Sequence, residues 1–311
     1  MGFLEVPCKF NGKPTPVYTA LSQPKSENQA AIFEHLENLY TKYQPVLDGN
    51  FNKQFPRETN RRYWELYLAH FLSQQFTLKP PKKRKNNPGP DFCFQHEGKT
   101  IWVEAVAPEP GDNENTVPNL IIYEPEKNWP PMAQEVPKEK IILRYQSVLD
   151  VKAKKFKKNR EERIVKDDDI QIIAVSDADL PLWPMGDIVP YILNALFPIG
   201  DYRIEINRNS GQSVGEGYGY QEERLNANNS PVRYFFQESN ELISGILYHA
   251  SHMGDLVWDE WEDINKNQLY FIHNPFAKHP LPQGLFKCGH EYTADYDGDC
   301  GFIINHAPLA P

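Results

Sequence analysis

The chain predicts an α/β protein: a sheet flanked by helices, with a β-rich portion toward the C-terminus. Two observations carry this. Residues 58–197 run helix, hairpin, helix, strand, helix, each with the apolar period its element requires. Residues 201–311 hold five short apolar runs, YRIEI, VRYFFQ, ISGILYH, QLYFIH and GFIINH, separated by Gly-, Asn- and Pro-rich turns. The expected organisation is a helical or irregular extension over 1–50, an α/β core over 51–200, and a β-rich region over 201–311 packed on it.

Taken in order, residues 1–27 carry Pro and polar residues and read as an irregular or short-stranded lead-in. Ile32, Leu36, Leu39 and Tyr40 fall at helical spacing within 28–46. A second helix spans about 58–76, opened by Glu58-Thr59-Asn60. The loop PPKKRKNNPGP cannot be regular structure, given its Pro, Gly and Asn content. Strands DFCFQ (91–95) and TIWVEAV (100–106) follow as a hairpin joined by His96-Glu97-Gly98-Lys99. Residues 107–137 are rich in Pro, Glu and Asn, and a loop of that length is functional or mobile. A helix over 138–158 leads to the strongly apolar strand IQIIAVS (170–176). The next helix, 186–197, contains Pro190, which belongs in its first turn or kinks it. GEGYGYQ (215–221) reads as a flexible loop.

Composition narrows the class. Of 311 residues, 40% are hydrophobic and 13% aromatic, enough for a sizeable core. No apolar run approaches the ~18 residues that a membrane helix needs. The N-terminus MGFLEVPCKF has no basic and then apolar stretch, so no secretory signal is expected. Cys8, Cys93, Cys288 and Cys300 are scattered without a CxxC, which suits a reducing compartment and a cytoplasmic protein. The net charge of −9 is unevenly spread: residues 52–168 hold 22 basic and 17 acidic residues, the remainder 11 and 25. A basic segment inside an acidic chain points to an anionic partner more than the total does.

The chemistry concentrates on Asp91 and Glu104. Asp91 follows Gly89-Pro90 and opens an alternating strand. Glu104 lies among Ile101, Val103 and Val106, where a carboxylate is costly unless paired or bound to a metal. Alternation puts Trp102, Glu104 and Val106 on one face. Carboxylates on adjacent strands can share a hard cation such as Mg²⁺ or Mn²⁺. On the helix after them, Ile141, Tyr145, Val148, Leu149 and Phe156 form one face at about 100° per residue, and Lys152 falls within it. Lys155 and Arg144 lie at the edge of that stripe. Such a lysine either snorkels or meets a carboxylate. The same wheel places Glu65 inside the apolar sector of its helix, where it serves the site or pairs with Arg61 or Arg62.

Pro90-Asp91, then Glu104-Ala105-Val106 on the next strand, with Glu65 on the helix before, resemble the PD-(D/E)XK nuclease superfamily. GPDF followed by VEAVAP also looks like a group of bacterial proteins of similar length, a divergent branch. The resemblance covers residues 58–177. It implies a restriction-endonuclease-like mixed sheet and metal-dependent endonuclease activity on nucleic acid, DNA ahead of RNA. It further implies Asp91, Glu104 and the Ala105 carbonyl as metal ligands, with Glu65 assisting. The departure is Val106, which stands where the family has its lysine. Lys152, with Lys155 in reserve, is the expected replacement from the adjacent helix. Lys82, Lys83, Arg84, Lys85 and Arg144 would position the phosphate backbone, and a homodimer is open as an assembly. The alternative is a nuclease-fold module without catalysis, kept for nucleic-acid or protein interaction. Asp295, Asp297 and Asp299 lack a twelve-residue calcium loop, and Cys288, His290 and Cys300 lack a second ligand pair for zinc.

Overall fold

The computed structural model describes residues 13–81, 89–121, 133–181, 189–221, 234–250, 269–296 and 302–309. Helices α1 (Pro16–Ser22), α2 (Glu27–Tyr43), α3 (Phe51–Gln54) and α4 (Thr59–Gln75) come first. The hairpin β1 (Phe92–His96) and β2 (Lys99–Val106) follows, then α5 (Lys138–Glu161), β3 (Ile170–Ser176) and α6 (Tyr191–Leu196). Strands β4 (Ile199–Ile206), β5 (Ser213–Tyr220), β6 (Gly245–His249), β7 (Leu269–His273), β8 (Gly289–Tyr296) and β9 (Phe302–Leu309) complete the order.

Seven strands form one mixed sheet in the order β1-β2-β3-β6-β7-β8-β9, and β4-β5 pair as a separate ribbon. The inner strands β2, β3 and β6 run parallel. β3 is buried at every residue, the signature of a central parallel strand covered on both faces. Odd positions of β2 (Ile101, Val103, Ala105) pack into the apolar layer under α4, while Trp102 and Val106 pack into the layer under α5 and α6. The protein is therefore a mixed α/β structure with helices on both faces of a large sheet.

Local chemistry explains the elements. Ser26 caps α2 by accepting the Gln29 N–H at 3.2 Å. α4 is buried on nearly all sides, between the sheet and the earlier helices, and its Trp64 Nε1 donates to the Ala174 carbonyl at 3.1 Å. The hairpin turns on two residues, Glu97 and Gly98, both with positive φ. α5 buries Ile141, Tyr145, Leu149, Lys152 and Phe156, one stripe at spacings of three and four.

Some expectations fail. The lead-in contains α1, which the Thr15 hydroxyl caps and Pro16 starts. GEGYGYQ belongs to β5, because pairing with β4 overrides the weak strand propensity of its glycines. Within VRYFFQ, Tyr234–Gln237 is a turn; Tyr234 and Phe235 are buried, and the Tyr234 hydroxyl donates to the Leu149 carbonyl at 3.1 Å. β8 was not anticipated. α6 begins only after Pro190, which sits at its N-cap. Among the described residues, no helix is long and apolar enough to cross a membrane.

Gly245 starts β6 with no room for a side chain: a Cβ there would lie 2.7 Å from the Ile272 carbonyl oxygen. Gly245→Ala should destabilise the protein by about 1–3 kcal/mol, read as a lower urea midpoint.

Candidate active site

Asp91 is positioned from below by a glycine. Gly89 has φ +68°, and a Cβ there would lie 2.8 Å from Ile164 and 3.3 Å from the Trp102 ring. Trp102 is itself fixed by its Nε1–H, which donates to Asp169 at 2.8 Å. The chain thus enters β1 pressed against β2. Because Phe92 pairs with Val103, the same register sets Asp91 opposite Glu104. Asp91 Oδ2 accepts the Ala105 N–H at 2.8 Å, which ties it to the β2 backbone beside that glutamate.

Glu104 is only 1% exposed. Lys152 Nζ donates to its Oε1 at 2.6 Å, and Lys155 Nζ donates to the same oxygen. Its Oε2 is buried with no hydrogen-bond partner among the described residues. Burial, and then the charge of Asp91, push the Glu104 carboxyl above its ordinary range, and the two ammonium groups pull it back. Burial disfavours the Lys155 charge, but Glu104 and Asp91 outweigh it and raise its pKa.

Glu65 reaches the same place from α4, on the other face of the sheet. Its Oε2 accepts from Arg62 at 2.6 Å, and Arg62 also holds Glu58 at 3.1 Å. Burial and then Asp91 push Glu65 up to about 8. A cavity of about 440 Å³ opens here, lined by Leu47, Glu65, Pro90, Asp91, Phe92 and Lys155 among others. Lys155 therefore faces the cavity, while the nearly buried Lys152 stands behind as the inner counterion of Glu104.

The structure thus brings together Asp91, Glu104, Lys152, Lys155 and Glu65. Val106 is buried in the apolar layer under α5, on the face of β2 that Glu104 shares. Arg144 does not join them: eight residues before Lys152, about 12 Å along the helix, its Nε–H donates to the Glu109 carbonyl at 2.8 Å. Lys82, Lys83, Arg84 and Lys85 lie outside the described residues. No three of the His, Cys, Asp and Glu side chains described form a ready metal cluster. Two carboxylates, one with an orphaned buried oxygen, still suit Mg²⁺, which takes one or two protein carboxylates and fills its shell with water and phosphate oxygens.

Two features escaped the sequence. The sequence offers Arg61 only as a partner for Glu65, yet its charge is felt at Glu65, Lys155 and Asp179. Asp177, just past β3, is fully enclosed and accepts from the hydroxyls of Tyr145 at 2.8 Å and Tyr248 at 2.5 Å. An acidic residue directly after a strongly apolar strand is the available signal.

Burial raises the Asp177 carboxyl from 3.8 to about 6. The folded state then binds this proton more tightly than the unfolded chain. Stability should fall as pH rises between those two values, by about 3 kcal/mol at most. Asp177→Asn should remove that part of the slope, measured by urea unfolding from pH 4 to pH 7. Glu104→Ala should cost ~3–5 kcal/mol, because it leaves Lys152 buried without its carboxylate. Lys152→Met should cost less, since Lys155 still neutralises Glu104; the two urea midpoints decide the order.

Compared with known proteins, the chain matches no family model, no curated protein and no solved structure.

Proposed function

We propose that the protein is a divalent-cation-dependent nuclease of the PD-(D/E)XK kind, with a restriction-endonuclease-like core, hydrolysing phosphodiester bonds of DNA ahead of RNA. One observation carries this reading. A buried carboxylate, Glu104, has one oxygen held by two lysines and the other orphaned, and a second carboxylate, Asp91, is tied to the adjoining backbone.

Asp91, Glu104 and the Ala105 carbonyl would hold Mg²⁺ or Mn²⁺, which when bound supplies Lewis acidity and a water of lowered pKa. Lys155, on the cavity wall, orients the attacking water and meets the charge that develops on the phosphate. Lys152 keeps Glu104 ionised and its orphaned oxygen aimed. Glu65, on the cavity wall, would assist a second metal or its water. The two ammonium groups do the work of the lysine absent at position 106.

A second reading has its own observation. Both ammonium groups are committed to Glu104, so the cluster is neutralised within the protein, as in a fold kept for binding alone.

Asp91→Asn should lower Mg²⁺-dependent nicking of supercoiled plasmid by about 100-fold or more with an unchanged urea midpoint. Equal nicking by this variant and the wild type would sink the catalytic reading. In calorimetry with Mn²⁺, Glu104→Gln should lose a site that the wild type shows; a wild type without any site favours the binding module.

A further inference from the structure

We infer that Arg61 is a substrate-binding residue of this site, a guanidinium that holds a non-bridging phosphate oxygen of the nucleic acid at the cavity mouth. The inference rests on the nuclease reading above and adds a residue to it.

Arg61 and Glu65 are four residues apart on α4, so they share a helix face, and Glu65 lines the cavity. The neighbouring Arg62 is anchored through both terminal nitrogens, at 2.6 Å from Glu65 and 3.1 Å from Glu58, with its side chain 8% exposed, although its Nε, like that of Arg61, has no hydrogen-bond partner among the described residues. Arg61 has no such anchor. Among the described residues its one ion pair is Glu58, at 3.8 Å, beyond hydrogen-bonding distance, and Arg62 makes the closer contact to that same oxygen. Its side chain is 38% exposed, while its Nε is buried with no hydrogen-bond partner among the described residues. The root of the guanidinium is thus buried while the side chain as a whole stays partly open to solvent.

Chemistry selects the ligand. Arg62 is paired with Glu65, and Lys152 and Lys155 with Glu104, so the inner cations are held by the site's own carboxylates. A phosphodiester would be met by a further cation beside them, and a planar guanidinium offers two parallel donors that match phosphate oxygens. Lys155, on the cavity wall, serves the reacting phosphate, so Arg61 is the cation of this group left to hold the backbone beside it.

The test uses the full chain and a short fluorescent DNA duplex. Binding is followed by anisotropy in Ca²⁺ across a salt series, and cleavage kinetics are followed in Mg²⁺. Arg61→Gln should weaken binding about tenfold and make the slope of log affinity against log salt shallower by about one. In cleavage, KM should rise more than kcat falls. Arg61→Lys should restore the slope and part of the affinity, a rescue that a merely structural role would not produce. If the wild type cuts DNA while Arg61→Gln keeps the wild-type salt slope and KM, this inference alone fails. If the wild type neither binds nor cuts the duplex, the nuclease reading fails and this one with it.

Discussion

Everything near the candidate site answers to the burial of one charge. Glu104 sits in a strand whose neighbours are apolar and whose faces are both covered, a position where an unpaired carboxylate costs several kcal/mol. The protein meets that cost with two lysines from one helix, three residues apart. This fixes the rotation of α5, because the stripe that buries Tyr145, Leu149 and Phe156 must also deliver Lys152 to Glu104. It fixes the turn before β1 as well. Gly89 lets the chain press against Trp102, so that Asp91 reaches the Ala105 N–H next to the charge.

The two faces of the sheet share the work unequally. From the α5 side come cations that neutralise Glu104. From the α4 side comes an acid, Glu65, with its own arginine. Asp91 lies between them at the start of β1, and its charge raises both carboxyls. The charges near the cavity are therefore balanced in two ways: Glu104 by lysines of the neighbouring layer, Glu65 by an arginine of its own helix. Position 106 is a buried valine, and the positive charge beside Glu104 comes from α5, the layer above the strand.

Much of this was visible in the sequence for a simple reason: a charge at an apolar position of a periodic segment stands out. Glu104, Lys152 and Glu65 were each found that way, and the helices and strands around them fall close to their expected bounds. The division of labour between Lys152 and Lys155 was not visible, because it depends on a cavity wall that includes Val46 to Gly49, far away in sequence. β5 and β8 were missed because their identity comes from partners, β4 for one and β7 and β9 for the other. The distance of Arg144 from the cluster was not visible, because a helical wheel gives angle and not height along the axis. At its own level the side chain meets the Glu109 loop.

The sheet order has a bearing on how the chain matures. Every residue assigned to the site lies before position 156, yet the strand that covers the free side of β3 is β6, residues 245–249. As the chain is synthesised, β3 is apolar on both faces and has an unpaired edge until some seventy further residues have been added. A fragment ending after β3 would carry all the site's chemical groups and an adhesive strand edge. Its fate is aggregation or capture by a chaperone, so the groups gain a fixed geometry only once the distant strand has docked.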